Sequence, residues 1–240
     1  MDGYYRRQDR HLIAVDNIIF GFDGEKLNVL ILKRHFEPLL GNWCLVGEFV
    51  KENESLDHAA NRVVEELTGL KGLFMEQFFT YGTPERDPAA RTISVAYYTL
   101  IRSDDYHQEL GRQKGAAWFP VEEVPALVFD HNHMIRQALK VLRQKTRTQP
   151  IGFHLLPEKF TLPQLRSLYE AIHGQTIDHG NFSKKLHSMQ LLTRLEEKDK
   201  SQSKKGAFYY RFEENRYQTL LEQGFLFDLK VKQSVQKNHL

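Results

Sequence analysis

Gly47-Glu48-Phe49-Val50-Lys51-Glu52-Asn53-Glu54-Ser55-Leu56-Asp57-His58-Ala59-Ala60-Asn61-Arg62-Val63-Val64-Glu65-Glu66-Leu67-Thr68-Gly69-Leu70 reads as a polar loop running into one amphipathic helix. Ser55 is a strong N-cap, because its hydroxyl can accept a hydrogen bond from a backbone N–H of the first turn. Gly69 suits the left-handed position that closes a helix. Between them Leu56, Ala60, Val63, Val64 and Leu67 fall at i, i+4, i+7, i+8 and i+11, the spacing of one apolar stripe.

Strand-like segments surround that helix. Leu12–Phe22 is rich in Ile, Val and Phe and runs into the turn pair Asp23-Gly24, with 27–32 at hairpin distance. Segments 43–46, 73–80 and 92–101 also read as strands, the last dense in β-branched and aromatic residues. A second helix over 131–145 aligns Ile135, Leu139 and Leu142. Helices among strands imply a layered α/β or α+β domain. Thr146-Arg147-Thr148-Gln149-Pro150 lacks apolar periodicity and ends in proline, so a linker is expected there. Beyond it Leu162, Leu165, Leu168, Tyr169 and Ile172 make a helical stripe closed by Gly174, and Phe182, Leu186 and Met189 make a second. Strand-like runs over 191–196 and 207–212 flank a polar loop at 197–206.

The 240 residues suffice for two ordinary domains, and a composition 41% hydrophobic and 27% charged excludes a disordered chain. Cys44 stands alone, which excludes an intramolecular disulfide and fits a reducing compartment. Residues 1–7 lack the apolar core of a signal peptide, and no apolar run approaches the length of a bilayer span. A cytoplasmic protein without a membrane partner is expected. The net charge of +2 is uneven: residues 150–240 hold 14 Lys or Arg against 10 Asp or Glu. A basic C-terminal part permits a polyanionic partner without demanding one.

The quoted stretch resembles the Nudix box, the signature of a family of pyrophosphate hydrolases. Gly41-Asn42-Trp43-Cys44-Leu45-Val46-Gly47 before it, and Phe129-Asp130-His131 leading into a terminal helix, fit the same family. The resemblance covers about residues 10–145 and implies an α/β/α sandwich. In working members the helix carries a Glu, then two adjacent Glu three and four residues later, all on one face. Those carboxylates bind Mg²⁺, which neutralises the pyrophosphate and activates water. Here the matching positions are Val63, Glu66 and Leu67, and the second Gly of the opening pair is Glu48. Arg62 and Glu54, which pair in the family to hold the loop on the helix, are retained. The reading is a kept fold with lost catalysis: not an enzyme, with no catalytic residue, no metal and no cofactor. A degenerate cleft remains a concave polar pocket. Without a metal it suits a sugar, whose hydroxyls need donors and acceptors. The expected effector contacts are Arg34, His35, Glu48, Glu66, Arg86 and Tyr98. Glu66 reads equally as a solvated carboxylate.

Thr176-Ile177-Asp178-His179-Gly180-Asn181-Phe182-Ser183-Lys184-Lys185-Leu186-His187, after one helix and before a hairpin, resembles the recognition segment of a winged helix-turn-helix. Phe182, Leu186 and Met189 would face the core. Such a helix fits the major groove, where Asn and Lys read base edges and Ser holds phosphate. Expected DNA contacts are Asn181, Ser183, Lys184, Lys185 and His187, with Lys198, Lys200, Lys204 and Lys205 on the hairpin loop and Arg211 after it. A Nudix-like domain over 1–147 followed by a winged helix over 148–240 resembles the Nudix-related transcriptional regulators along nearly the whole chain. That resemblance implies a homodimer formed by the Nudix-like domain, winged helices on a palindromic operator in double-stranded DNA, and an effector that shifts the population away from the DNA-matching arrangement. One branch of the family controls NAD metabolism and answers to ADP-ribose. Another answers to arabinose, and this second branch is the expected likeness: a repressor of sugar-utilisation genes released by L-arabinose. Two rival readings stand beside it. One is a Mg²⁺-dependent hydrolase of ADP-ribose or another nucleotide sugar, with replacement carboxylates from Glu48, Glu52 or Glu65. The other is an adaptor whose winged helix contacts protein.

Overall fold

A computed structural model of the chain describes residues 2–101, 115–201 and 204–228. In chain order its elements are α1 (Asp2–Tyr5), β1 (Leu12–Phe22), β2 (Leu27–Lys33), β3 (Trp43–Cys44), β4 (Val46–Phe49), α2 (Leu56–Thr68), β5 (Met75–Tyr81), β6 (Thr92–Ile101), β7 (Ala116–Pro120) and α3 (His131–Thr148). A 3-10 turn (Pro150–Leu155) and β8 (Phe160–Thr161) precede α4 (Leu162–His173), α5 (His179–Met189), β9 (Leu192–Asp199), β10 (Ala207–Phe212) and α6 (Glu214–Glu222). Contacts separate two compact units, and one of the divisions falls inside α3, between Ala138 and Leu139.

The first unit is built on a seven-stranded sheet in the order β3-β2-β1-β6-β5, with β4 paired to β1 and β7 to β2. Past Leu12 and Ile13, β1 is buried at every position. Its apolar run is therefore continuous rather than alternating, the mark of a strand covered on both faces. Ala59, Ala60, Val63 and Val64 of α2 and Met134, Ile135 and Ala138 of α3 are buried in that core. β4 departs from the sequence reading. Gly47 and Glu48, read as the start of a loop, lie in a strand antiparallel to β1, with Gly47 opposite Asp16.

The second unit carries a three-stranded sheet, β8-β10-β9. A capping box opens α4: the Thr161 hydroxyl accepts from Gln164 N–H, and the Gln164 side chain returns to Thr161 N–H. Asp178 caps α5 by accepting from Asn181 N–H at 2.8 Å. Both expected stripes face the core: Leu165, Leu168, Tyr169 and Ile172 of α4, and Phe182, Leu186 and Met189 of α5. β9 extends to Asp199, into the stretch read as loop. Gln202 and Ser203 of that loop lie outside the described residues.

The linker expected at 146–150 is instead mostly helix, since α3 continues to Thr148. Thr146 is fully buried, its hydroxyl donating to Leu142 O at 2.9 Å and lying 3.2 Å from His173 Nε2. Arg143 Nε donates to Ile172 O at 2.6 Å. Tertiary contacts with α4 hold a segment whose own sequence lacks apolar periodicity. Among the described residues no helix is long and apolar enough to cross a membrane.

Candidate ligand cleft and nucleic-acid interface

The polar face of α2 closes on itself. Ser55 and Gly69 cap the helix as their residue types require, Gly69 with φ 78°. Arg62 gathers the acids around it. Its Nε and Nη2 donate to Glu54 at 2.8 and 2.6 Å, its Nη2 to Phe49 O at 3.1 Å and its Nη1 to Glu66 at 2.9 Å. Glu48 lies 3.7 Å away. The Arg62–Glu54 fork is the pairing the resemblance implies. Arg62 beside Glu54 holds that carboxyl well below its usual range, at about 2. Lys51 lies 3.8 Å from Glu66, and Lys71 pairs Glu65 at 2.7 Å.

A hard divalent cation needs several oxygen ligands at one point. Val63 is 0% exposed, in the core, and Leu67 offers no oxygen. Glu66 and Glu48 are drawn to Arg62, while Glu65 is held by Lys71. These residues do not fit a Mg²⁺ site. Among the described residues no group of three or more His, Cys, Asp or Glu is placed to hold a metal ion.

The cleft beside this helix is lined by Arg34, His35, Glu48 and Arg86 of the expected set, and by Leu67. Its floor is a charge network that sequence reading missed. Arg86 donates to both oxygens of Asp130, at 3.0 and 2.8 Å, and lies 3.6 Å from Asp16. Ser94 donates its hydroxyl to the same Asp16. Gly47 is required here: a Cβ at that position would stand 2.1 Å from an Asp16 oxygen and 2.9 Å from Val15 O. His131 accepts the Leu45 N–H on Nδ1 at 3.0 Å, so its proton sits on Nε2, 3.7 Å from Asp16. Burial drives this imidazole below its ordinary range, against the pull of Asp16 and Asp130. Burial likewise pushes the Cys44 thiol in the cleft wall up to about 11, leaving it unreactive.

At the mouth Arg34 is 9% exposed, donates from Nε to Pro38 O at 2.6 Å, and lies over the rings of Phe36 at 3.8 Å and Phe129 at 5.2 Å. Phe129 has φ 52°, a strained value for a side chain of this size. Lys33 lies over Trp43 at 3.9 Å, and His35 faces Glu48 at 3.5 Å.

Two expected effector contacts fall elsewhere. Glu66 is half exposed and tied to Arg62, outside the lining. Tyr98 is buried in β6 and donates its hydroxyl across the strand pair to Glu76 at 2.7 Å; burial first, and Glu76 after it, raise its pKa. A strand tyrosine with a cross-strand acid is satisfied inside the sheet, which residue type alone does not reveal. The missed floor did leave a signal. Asp16-Asn17 interrupts an otherwise apolar strand, and buried charge needs partners.

In the second unit, α5 turns Asn181, Lys184, His187 and Ser188 to solvent, with Ser183 half-buried. Lys185 lies 3.8 Å from Asp228. His187 meets Tyr210 edge-on at 5.9 Å, joining the helix to the hairpin. Lys200, Lys204 and Lys205 are exposed around the hairpin turn, where Gly206 has φ 67° and a Cβ would lie 2.8 Å from Asp199 O. Arg211 is placed differently. It sits at the other end of β10 and pairs Glu158 at 3.2 Å. Lys198, expected on the loop, lies in β9, and with one further cation, Arg194, it lies over the Phe208 ring, at 4.2 and 4.5 Å respectively.

Comparison with known proteins matches residues 10–138 to the NUDIX domain and residues 152–212 to the NrtR DNA-binding winged helix domain. The ADPR responsive transcriptional repressor NtrR of Acinetobacter baylyi is 31% identical over 207 residues, covering 84% of this chain and 82% of the relative. The ADP-ribose pyrophosphatase of Methanocaldococcus jannaschii is 32% identical over 143 residues, covering 57% of this chain and 78% of the relative. Shewanella oneidensis NrtR complexed with a 27mer DNA superposes with a TM-score of 0.78 at 27% identity, covering 91% of this chain and 99% of that one. The arabinose-responsive branch and its link to sugar-utilisation genes are not supported, because the repressor that matches most of the chain is ADPR responsive. The expectation of a neutral sugar followed from the apolar residues at the metal-carboxylate positions, although Arg34 and Arg86 were already among the expected contacts.

Proposed function

The chain belongs to the family that joins a NUDIX domain to an NrtR DNA-binding winged helix domain, and from that premise we propose that it is a transcriptional repressor whose NUDIX domain binds ADP-ribose and whose winged helix binds operator DNA. Residues 1–147 carry the effector cleft and the dimer contact, and residues 148–240 carry the DNA reader. The protein works as a cytoplasmic homodimer, so that two copies of α5 address a palindrome. Arg34, His35, Glu48 and Arg86 frame the effector. Asn181, Ser183, Lys184, Lys185 and His187 face the groove, and Lys200, Lys204 and Lys205 meet the backbone. ADP-ribose binds the DNA-incompetent state more tightly and draws the population toward it.

One observation carries this reading. Arg62 neutralises Glu48, Glu54 and Glu66 around α2 while the cleft beside them keeps cations, which suits holding a diphosphate better than cleaving it. Selection from a random duplex pool should recover a palindrome, and ADP-ribose should release it where L-arabinose does not. Recovery of no sequence, or release by neither compound, would remove the claim.

The similarity to an ADP-ribose pyrophosphatase keeps a second reading in play, hydrolysis with Mg²⁺. Steady turnover of ADP-ribose abolished by Glu66→Gln would establish it; the expected result is no turnover.

A further inference from the structure

Two buried arginines line the cleft, and only one has its charge answered. Arg86 is clasped by Asp130 through two hydrogen bonds and has Asp16 3.6 Å away. Arg34 is equally buried, at 9% exposure. Yet its Nε donates only to the Pro38 carbonyl, and no carboxylate pairs with it among the described residues. The guanidinium lies 3.8 Å from the Phe36 ring and 5.2 Å from the Phe129 ring, and Arg34 is part of the cleft lining. A buried cation without a partner is unfavourable, and an arriving anion removes that penalty. The planar fork of arginine suits two phosphate oxygens at once.

We propose that Arg34 is the anion anchor of the cleft and grips the diphosphate of the ligand, while Arg86 is a positioning residue that holds the floor. This rests on reading the cleft as the effector site. A diphosphate at Arg86 would meet two like charges together, the buried Asp16 and the half-buried Asp130. His131 does not compete for it, since the Leu45 N–H fixes the ring in a neutral tautomer. Lys33, exposed at the mouth, adds a second positive charge on the Arg34 side. The ligand therefore enters with its diphosphate at Arg34, and its uncharged end faces the carboxylate-rich floor.

Calorimetric titration of the full chain with ADP-ribose, ADP and adenosine tests this, using wild type, Arg34→Gln and Arg34→Lys. Arg34→Gln should weaken ADP-ribose and ADP about 30-fold, the worth of a charge-assisted pair. Adenosine affinity should stay unchanged. Arg34→Lys should recover part of the loss, as a point charge without the fork. Unchanged ADP-ribose affinity in Arg34→Gln would overturn the proposal and leave the effector assignment standing. An equal loss for adenosine would also overturn it, because Arg34 would then only hold the 34–42 loop. Wild type that binds ADP through Arg34 but rejects ADP-ribose would overturn the effector assignment and support the anchor. If Arg34→Gln does not fold, Arg34→Lys and the salt dependence of wild-type binding decide. Affinity for ADP that ignores salt, or no affinity for any of the three, would count against the anchor.

Discussion

α2 and α5 are two capped helices of similar length with charged faces, and they put those faces to opposite use. On α2, Arg62 draws in Glu48, Glu54 and Glu66, so its charges are answered within the unit. On α5, Asn181, Lys184 and His187 stand in solvent, and Lys185 has Asp228 only at 3.8 Å. Compensated charge holds a shape, whereas uncompensated charge waits for a partner. The same contrast recurs inside the cleft, between Arg86 and Arg34.

The comparison can be broken most strongly at α2. Val63→Glu restores a carboxylate of the family signature, but at a site with no solvent access. It should cost about 4 kcal/mol of stability, as an uncompensated buried charge does. Denaturant unfolding measures the loss, and a Val63→Glu protein as stable as wild type and able to turn over ADP-ribose with Mg²⁺ would reverse the account of α2.

His173 extends the contrast to pH. Burial, with Arg147 and Arg143 behind it, lowers this imidazole to about 4. The unfolded chain takes up that proton below about 6.5 while the folded chain resists. Stability is therefore complete above that pH and declines as the pH falls from about 6.5 to 4. His173→Gln should flatten the slope in this window, and an unaltered slope would show that His173 titrates normally.

On α5, Lys184→Ala with Lys185→Ala should weaken operator binding about tenfold. The slope of log affinity against log salt should fall by about 1.8, or 0.9 per phosphate contact. Lys184→Ala alone should carry the larger part, because Lys185 has a carboxylate nearby. Equal single effects would show that Asp228 does not matter. Phe208→Leu should have the smallest effect, about threefold in DNA affinity, because it removes only the aromatic surface under Arg194 and Lys198. A gel shift reads it, and no change would exclude those two cations from the interface.

Local chemistry was legible wherever it decided the structure. The Ser55 and Gly69 caps and the α4 and α5 stripes needed only spacing and residue type. The rest depended on distant partners. The 146–148 stretch is helical because α4 holds the end of α3, with Arg143 on Ile172 O and His173 beside Thr146. Gly47 and Glu48 became a strand because β1 runs alongside. The cleft floor joins Asp16, Arg86, Asp130 and His131, residues separated by more than a hundred positions. Only the oddity of an acid in an apolar strand announced it. Arg211 was expected beside the hairpin loop, and the strand instead carries it toward Glu158, while Arg194 on the neighbouring strand lies over Phe208.

The most direct measurement follows fluorescence anisotropy of the selected palindrome bound to the full chain while ADP-ribose is added with Mg²⁺ present, with the nucleotide recovered afterwards and its integrity checked by chromatography. The account predicts release of the DNA and recovery of intact ADP-ribose. DNA that stays bound at saturating ADP-ribose, or nucleotide returned as AMP and ribose 5-phosphate, would contradict it.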